Sequence, residues 1–250
     1  MPTPFYHLSI AQQILDHALL SAAGRQILQA KRGAFFLGSV APDVQVVSGQ
    51  PRAHTHFFDL PLRDNDRLPW EALWLAFPHL RQNSHLPLEQ RAFLAGYLCH
   101  LQADWLWISQ IFIPVFGLRS PWGTFEERLK LHNVLRAYLD QQVLNSLPAN
   151  LAAILQSASP SCWLPFVSDQ HLVQWRDQLT AQLTPGNKVA TVEVFAARQG
   201  VSAEEYYHLL SSEQAMDELI FSHINRHQLA QFRPQLIREN ISLLRAYLEA

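Results

Sequence analysis

Residues 96–107 read GYLCHLQADWLW, and this stretch decides the fold. It lies inside a longer apolar segment, Leu88 to Ile111, whose periodicity is that of a helix buried on most sides. His100 and Asp104 are four apart, so on a helix the imidazole and the carboxylate share one face. That arrangement suits joint capture of one cation. Gly96, one turn earlier on the same face, leaves room for another backbone or a ligand. A carboxylate in so apolar a helix costs several kcal/mol unless a metal, a histidine or an arginine meets it.

Helical periodicity extends outward in both directions. A first helix is expected from about Leu8 to Ala23. A second apolar segment, GAFFLGSVAPD, starts at Gly33 and stops at Pro42. Residues 51–68 are rich in Pro, His, Asp and Arg and read as loop. WEALWLAF follows Pro69, an early helical position that tolerates proline. TFEERLKLHNVLRAYLDQQVL opens on Thr124 with Glu127 three residues on, a capping box. NLAAILQSA, then LVQWRDQLTAQL up to Pro185–Gly186, then VATVEVFAARQ up to Gly200 complete the middle. Ser202 with Glu205 forms a second capping box ahead of EEYYHLLS. A last helix is expected from about Leu229 to Leu248, with Pro234 near its start. No strand alternation and no repeat is visible. The sequence predicts an all-α fold, a multi-helix bundle with a buried metal site between helices and extra C-terminal helices. Residues 1–250 read as one domain, with a metal-binding core over about 1–145 and a helical extension over about 146–250.

Composition narrows the function. The chain has 250 residues, 48% of them hydrophobic and only 16% charged, with a net charge of -2. It has no basic stripe with interleaved aromatics, which argues against a polynucleotide partner. Histidine stands out at 12 residues, and neutral imidazole is the commonest metal ligand. Cys99 and Cys162 have no metal-type spacing, and Cys99 reads as a buried free thiol. LWISQIFIPVFG is broken by Pro114 and Gly117 and falls short of the roughly 20 apolar residues a bilayer span needs. With no leader pattern at the N-terminus, the expectation is a soluble, cytoplasmic protein. Its oligomeric state has no signature.

Four places put metal-type ligands beside apolar helix: His7 in FYHLSIAQQIL, Asp43 in APDV, the cluster His54, His56 and Asp59 in HTHFFD, and His100 with Asp104. His54 and His56 point the same way only if their segment is extended. Otherwise at most one reaches a shared site. Trp105, Trp107, Phe57 and Phe58 flank these motifs, as core or as pocket wall.

Taken in order, these motifs resemble the bacterial zinc-dependent phospholipase C family, which is related to single-strand-specific fungal nucleases. The resemblance covers about Phe5 to Asp140. It proposes His7 as a ligand, Asp43 as the following aspartate, His56 in preference to His54, and the HxxxD pair His100 and Asp104. It implies an all-helical fold and zinc ions lining a cleft and activating water on a phosphodiester. Asp43, His56, His100 and Asp104 would hold one zinc, and Asp104 would bridge to a second ion at His7. Asp43 and Asp104 are then the candidate catalytic carboxylates. The sequence departs from the family pattern further on. Gln110 stands where a histidine is expected. In the next helix His132 is matched, but Arg136 replaces a carboxylate. The implied complement is therefore one or two zinc ions, with His132 a ligand of the degraded position. Arg136 either pairs with Asp140 or contacts a substrate phosphate. The expected function is zinc-dependent phosphoester or phosphodiester hydrolysis on a phosphoester or phospholipid head group. The alternative is a non-catalytic descendant whose metal ties helices together while the C-terminal helices bind a partner.

Overall fold

A computed structural model describes residues 1–63, 66–184 and 186–249. The expected helix stop at Pro185, and two residues of the expected loop, Asp64 and Asn65, lie outside the described residues. Among the described residues every regular element is helical, as the periodicity predicts.

The first helix differs in its bounds from expectation. α1 spans Pro4–Asp16 because Thr3 caps it, its hydroxyl accepting from Tyr6 N, with Pro4 at the first helical position. Its chain breaks at His17, and α2 (Ala22–Ala30) restarts under a Ser21 cap. α3 (Arg32–Gly38) runs into a 3₁₀ turn, Ala41–Val44, and the single turn α4 (Gln45–Ser48). The segment expected as loop contains one helical turn, α5 (Ala53–His56). α6 covers Pro69–Ala76. α7 spans Leu88–Trp107, and every residue from Ala92 to Asp104 is buried.

Pro114 does not break the apolar run after α7. Residues Ile108–Phe116 continue as a π-helical segment that carries Pro114 inside it, and Gly117 ends it. α8 (Phe125–Leu144) has the expected capping box in full. α9 (Leu151–Gln156), α10 (Asp169–Leu183) and α11 (Thr191–Gln199) follow. At α12 (Ala203–Ser211) the Ser202 hydroxyl accepts from Glu205 N, but the Glu205 carboxylate binds Lys130 at 2.6 Å, so the box is only half made. After the single turn α13 (Glu213–Met216), α14 (Arg226–Leu248) begins three residues earlier than expected, so Pro234 sits well inside it. At 23 residues α14 is longer than α7, which has 20.

Two glycines bring α3 and α7 together. A Cβ at Gly38 would run into the Phe93 carbonyl, and one at Gly96 would strike the Phe35 carbonyl and lie 2.7 Å from Ser39 N. Those contacts are shorter than any side chain tolerates, so the helices meet backbone to backbone. This packing sets the end of α3, and the 3₁₀ turn beyond it, against the middle of α7. α1 and α14 also pack on α7, while α10 packs on the 3₁₀ turn and α4. Cys99 is buried and free, and Cys162 is exposed and free. No helix among the described residues is long and apolar enough to cross a membrane.

Candidate metal centre

The buried face of α7 carries His100 and Asp104, with side chains at 0% and 1% exposure. His100 Nδ1 donates to the Ser39 carbonyl at 2.9 Å, a bond that exists because Gly96 lets the end of α3 approach. With its proton fixed on Nδ1, His100 turns the lone pair of Nε2 inward. α5 does the same for His56, whose Nδ1 faces the Arg52 carbonyl at 3.3 Å and the Thr55 hydroxyl at 3.1 Å. The two Nε2 atoms face each other at 3.3 Å.

Two carboxylates close the cluster. Asp104 Oδ2 lies 3.3 Å from His56 Nε2 and 3.7 Å from His100 Nε2, and Asp43 Oδ1 lies 3.6 Å from His56 Nε2. α1 adds His7, stacked on the His100 ring at 3.8 Å, with Nε2 3.4 Å from Asp104 Oδ1. Neither His7 Nε2 nor Asp104 Oδ1 has a hydrogen-bond partner, although both are buried.

Apart from the Arg52 guanidinium, which donates to Asp104 Oδ2 at 2.7 Å, the groups that face one another here are acceptors. Neutral imidazole offers one acceptor nitrogen, and a carboxylate offers only acceptors. Buried acceptors that face one another are stable only around a cation or a proton. Zinc bonds to N and O of about 2.0–2.1 Å place neighbouring tetrahedral ligand atoms about 3.3 Å apart. The separations of His56 from His100, Asp43 and Asp104, and of His100 from Asp104, are 3.3–3.7 Å and fit that spacing. Two groups can hold a metal ion among the described residues: His7, His100 and Asp104, and Asp43, His56 and His100. They share His100 Nε2, and its Nδ1 is engaged by Ser39, so that ring serves one ion at a time.

Charge in the cluster follows from burial and neighbours. Burial, with His7 beside it, pushes His100 down to about 3, so it is neutral at pH 7 and free to ligate. Burial raises Asp43, but in the acid range where it titrates the neighbouring imidazoles of His56 and His100 outweigh that and hold the carboxyl at about 2. Asp104 is held well below the usual carboxylate range because His100, His56, His7 and Arg52 together outweigh its burial.

Arg52, which the sequence reading missed, donates from Nη2 to Asp104 Oδ2 at 2.7 Å and lies over the Phe58 ring, 4.5 Å from its centre. His54 is exposed while His56 is fully buried, because on a helical turn residues two apart point to different sides. Asp59 is exposed as well. Phe57 takes the left-handed conformation, φ 62°, at the end of α5 and packs its ring on Phe77 and Phe166. That turn leaves His56 inward. Trp107 and Phe58 are core.

The structure does not bring His132 into either group. Its Nε2 accepts from Trp107 Nε1 at 2.9 Å, its ring packs among Phe112 and Phe116, and burial pushes its pKa well down. Arg136 does not pair with Asp140. It donates to the Met1 carbonyl at 3.0 Å and to Asn133, while Asp140 accepts from Thr3 and, at 2.6 Å, from Thr191. Burial raises Asp140 to about 6, against the Thr191 and Thr3 hydrogen bonds and the Arg136 charge, which lower it.

Residues 6–107 match the family model for zinc-dependent phospholipase C. All five converging residues, His7, Asp43, His56, His100 and Asp104, fall inside the match, and His132 and Arg136 fall outside it. The match supports the resemblance to that zinc-dependent family over the segment that builds the centre. No curated protein and no solved structure matches the chain.

Proposed function

We propose that the protein is a zinc-dependent phosphodiester hydrolase of phospholipase C type. The observation that carries this reading is the inward-facing set of unprotonated acceptors, His56 Nε2 and His100 Nε2 3.3 Å apart among two carboxylates. Asp43, His56, His100 and Asp104 would hold one zinc, and His7 would share Asp104 with a second. When bound, zinc supplies a Lewis acid and brings the pKa of water toward about 7. The protein's own residues do the rest. His100 and His56 turn Nε2 toward the ion because Nδ1 of each ring faces a backbone carbonyl. Asp104 is oriented by Arg52. Asp43, with its side chain 21% exposed where the other four are at 0–2%, faces solvent and is ionised at neutral pH, ready to take the proton of an attacking water. Arg136, which among the described residues has no carboxylate oxygen within 4.0 Å, would contact an anionic oxygen of the substrate.

A second reading is favoured by one observation. His132 Nε2 is committed to Trp107, and Arg136 stands in place of a carboxylate, so the centre has fewer ligands than the family pattern implies. In that reading the metal only ties α1, α5 and α7 together. Elemental analysis of untagged protein, followed by turnover of a chromogenic phosphodiester, separates the two. The hydrolase reading expects stoichiometric zinc and turnover that is lost in His100→Ala and Asp104→Asn. Stoichiometric zinc without turnover would sink it.

A further inference from the structure

A cavity of about 140 Å³ adjoins the centre, and Asp43 is part of its lining. Most of the rest of its wall comes from outside the family match: α10 contributes Gln178 and Gln182, α11 contributes Phe195 and Arg198, and α8 contributes Arg136. The Arg136 guanidinium lies flat over Phe195, 4.1 Å from the ring centre. Arg198 is one turn further along α11. Among the described residues neither arginine has a carboxylate oxygen within 4.0 Å. Arg136 Nε is buried and has no hydrogen-bond partner.

The Arg136 and Arg198 guanidiniums repel each other in one narrow cavity, whose lining holds a single carboxylate among its described residues, Asp43. Burial lowers Arg136 to about 10; the Asp104, Asp43 and Asp140 charges raise it and the Arg198 charge lowers it, and the guanidinium remains cationic at neutral pH. An anion accepting from Arg136 and neutralising Arg198 would relieve that repulsion and satisfy the orphaned donor. The aromatic face of Phe195 fixes the guanidinium plane, which presents its donors in a set direction.

We propose that this cavity is an anion subsite: Arg136 and Arg198 hold a second negatively charged group, a phosphomonoester or a carboxylate, borne by the part of the substrate beyond the scissile phosphodiester. The protein would then select anionic phosphodiesters over zwitterionic or neutral ones. The subsite rests on the hydrolase reading for the identity of its ligand as substrate, but not for anion binding itself. The same chemistry is offered by an anionic phospholipid head group and by a soluble phosphorylated compound.

The test uses the zinc-loaded full chain. Calorimetric titration with glycerol 3-phosphate should show saturable binding that added salt weakens. In Arg198→Gln, a change at an exposed position that leaves the core intact, binding should weaken about tenfold. Arg136→Lys keeps the charge but loses the fork and should weaken it as well. In turnover, a chromogenic phosphodiester carrying a carboxylate on its leaving group should have a lower KM than its neutral parent, and Arg198→Gln should reduce that ratio about tenfold. Phosphatidylglycerol in vesicles, compared with the soluble ester, assigns the source of the anion. Equal affinity for glycerol 3-phosphate in all three proteins, or no KM preference for the carboxylated ester in an active enzyme, would overturn the subsite. Arg198-dependent binding without turnover of any ester would uphold the subsite and remove the hydrolase.

Discussion

Arg52 Nη2 and Asp104 Oδ2 meet at 2.7 Å, so a fixed positive charge already occupies one lobe of the carboxylate that faces three imidazoles. A metal ion at this centre must share Asp104 with that guanidinium. Arg52 therefore orients the ligand while reducing its attraction for a cation.

Replacing Arg52 with Gln keeps a donor for Asp104 and removes the charge. At the effective dielectric of a partly exposed site, one charge a few ångströms away changes cation affinity by about 1–2 kcal/mol. Arg52→Gln is expected to bind zinc about tenfold more tightly in chelator competition. Weaker binding would mean that orientation, and not charge, is what Arg52 contributes.

His7 belongs to one of the two groups, and His100 belongs to both. His7→Ala should keep one zinc per chain that resists mild chelation, held by Asp43, His56, His100 and Asp104. His100→Ala should keep none. Metal counted by mass spectrometry after buffer exchange checks this. Equal loss in both variants would show a single centre that needs His7.

Gly96 links the packing of the fold to the chemistry of the site. Gly96→Ala would push α3 away from α7, and with it the Ser39 carbonyl that fixes the His100 proton on Nδ1. Overpacking against backbone costs about 3 kcal/mol, because no flexible side chain can move aside. The variant should unfold at lower denaturant and also release zinc faster. Lost stability with unchanged zinc affinity would disconnect the Ser39 bond from ligation.

Much of this was legible in the sequence, for identifiable reasons. His100 and Asp104 sit on an unbroken apolar helix, where spacing alone fixes their common face. Gly96 stood out because a helix interior disfavours glycine. His54 and His56 could not be separated from the residues alone, because one helical turn in a Pro-flanked segment has no periodicity. The resemblance chose His56, and the structure buries it. Arg52 and the Ser39 carbonyl carry no sequence signal: a backbone acceptor is the same in every residue, and the Arg52–Asp104 bond spans 52 residues. The expected Arg136–Asp140 pair failed because Thr3 and Thr191 reach Asp140 from elsewhere in the chain.

The metal-free protein should lose stability in acid, beginning near neutral pH. His100 is lowered from an ordinary 6.5 to about 3, and His132 is lowered as well, so below pH 6.5 the unfolded chain takes up protons that the folded chain refuses. Stability rises with pH wherever the unfolded state binds more protons, so it must fall as pH drops from about 6.5 toward 3. Asp43, lowered from 3.8 to about 2, and Asp104, lowered further, add a second decline below about pH 4 with the same sign. Denaturant midpoints of chelator-treated protein between pH 8 and pH 4 should decline through the upper window. His100→Gln, which cannot titrate, should flatten that part of the profile while leaving the contribution of His132. Zinc should not flatten it: a bound ion leaves His100 neutral in the folded state and the unfolded chain still takes up protons, while the ion's own binding energy is largest at the upper end of the range and steepens the decline. Asp140, raised to about 6, acts with the opposite sign in this window, so the His100 contribution is read as the difference between the two proteins: identical midpoints for the unsubstituted and His100→Gln chains from pH 7 to pH 5 would mean that water reaches His100, contrary to its burial here.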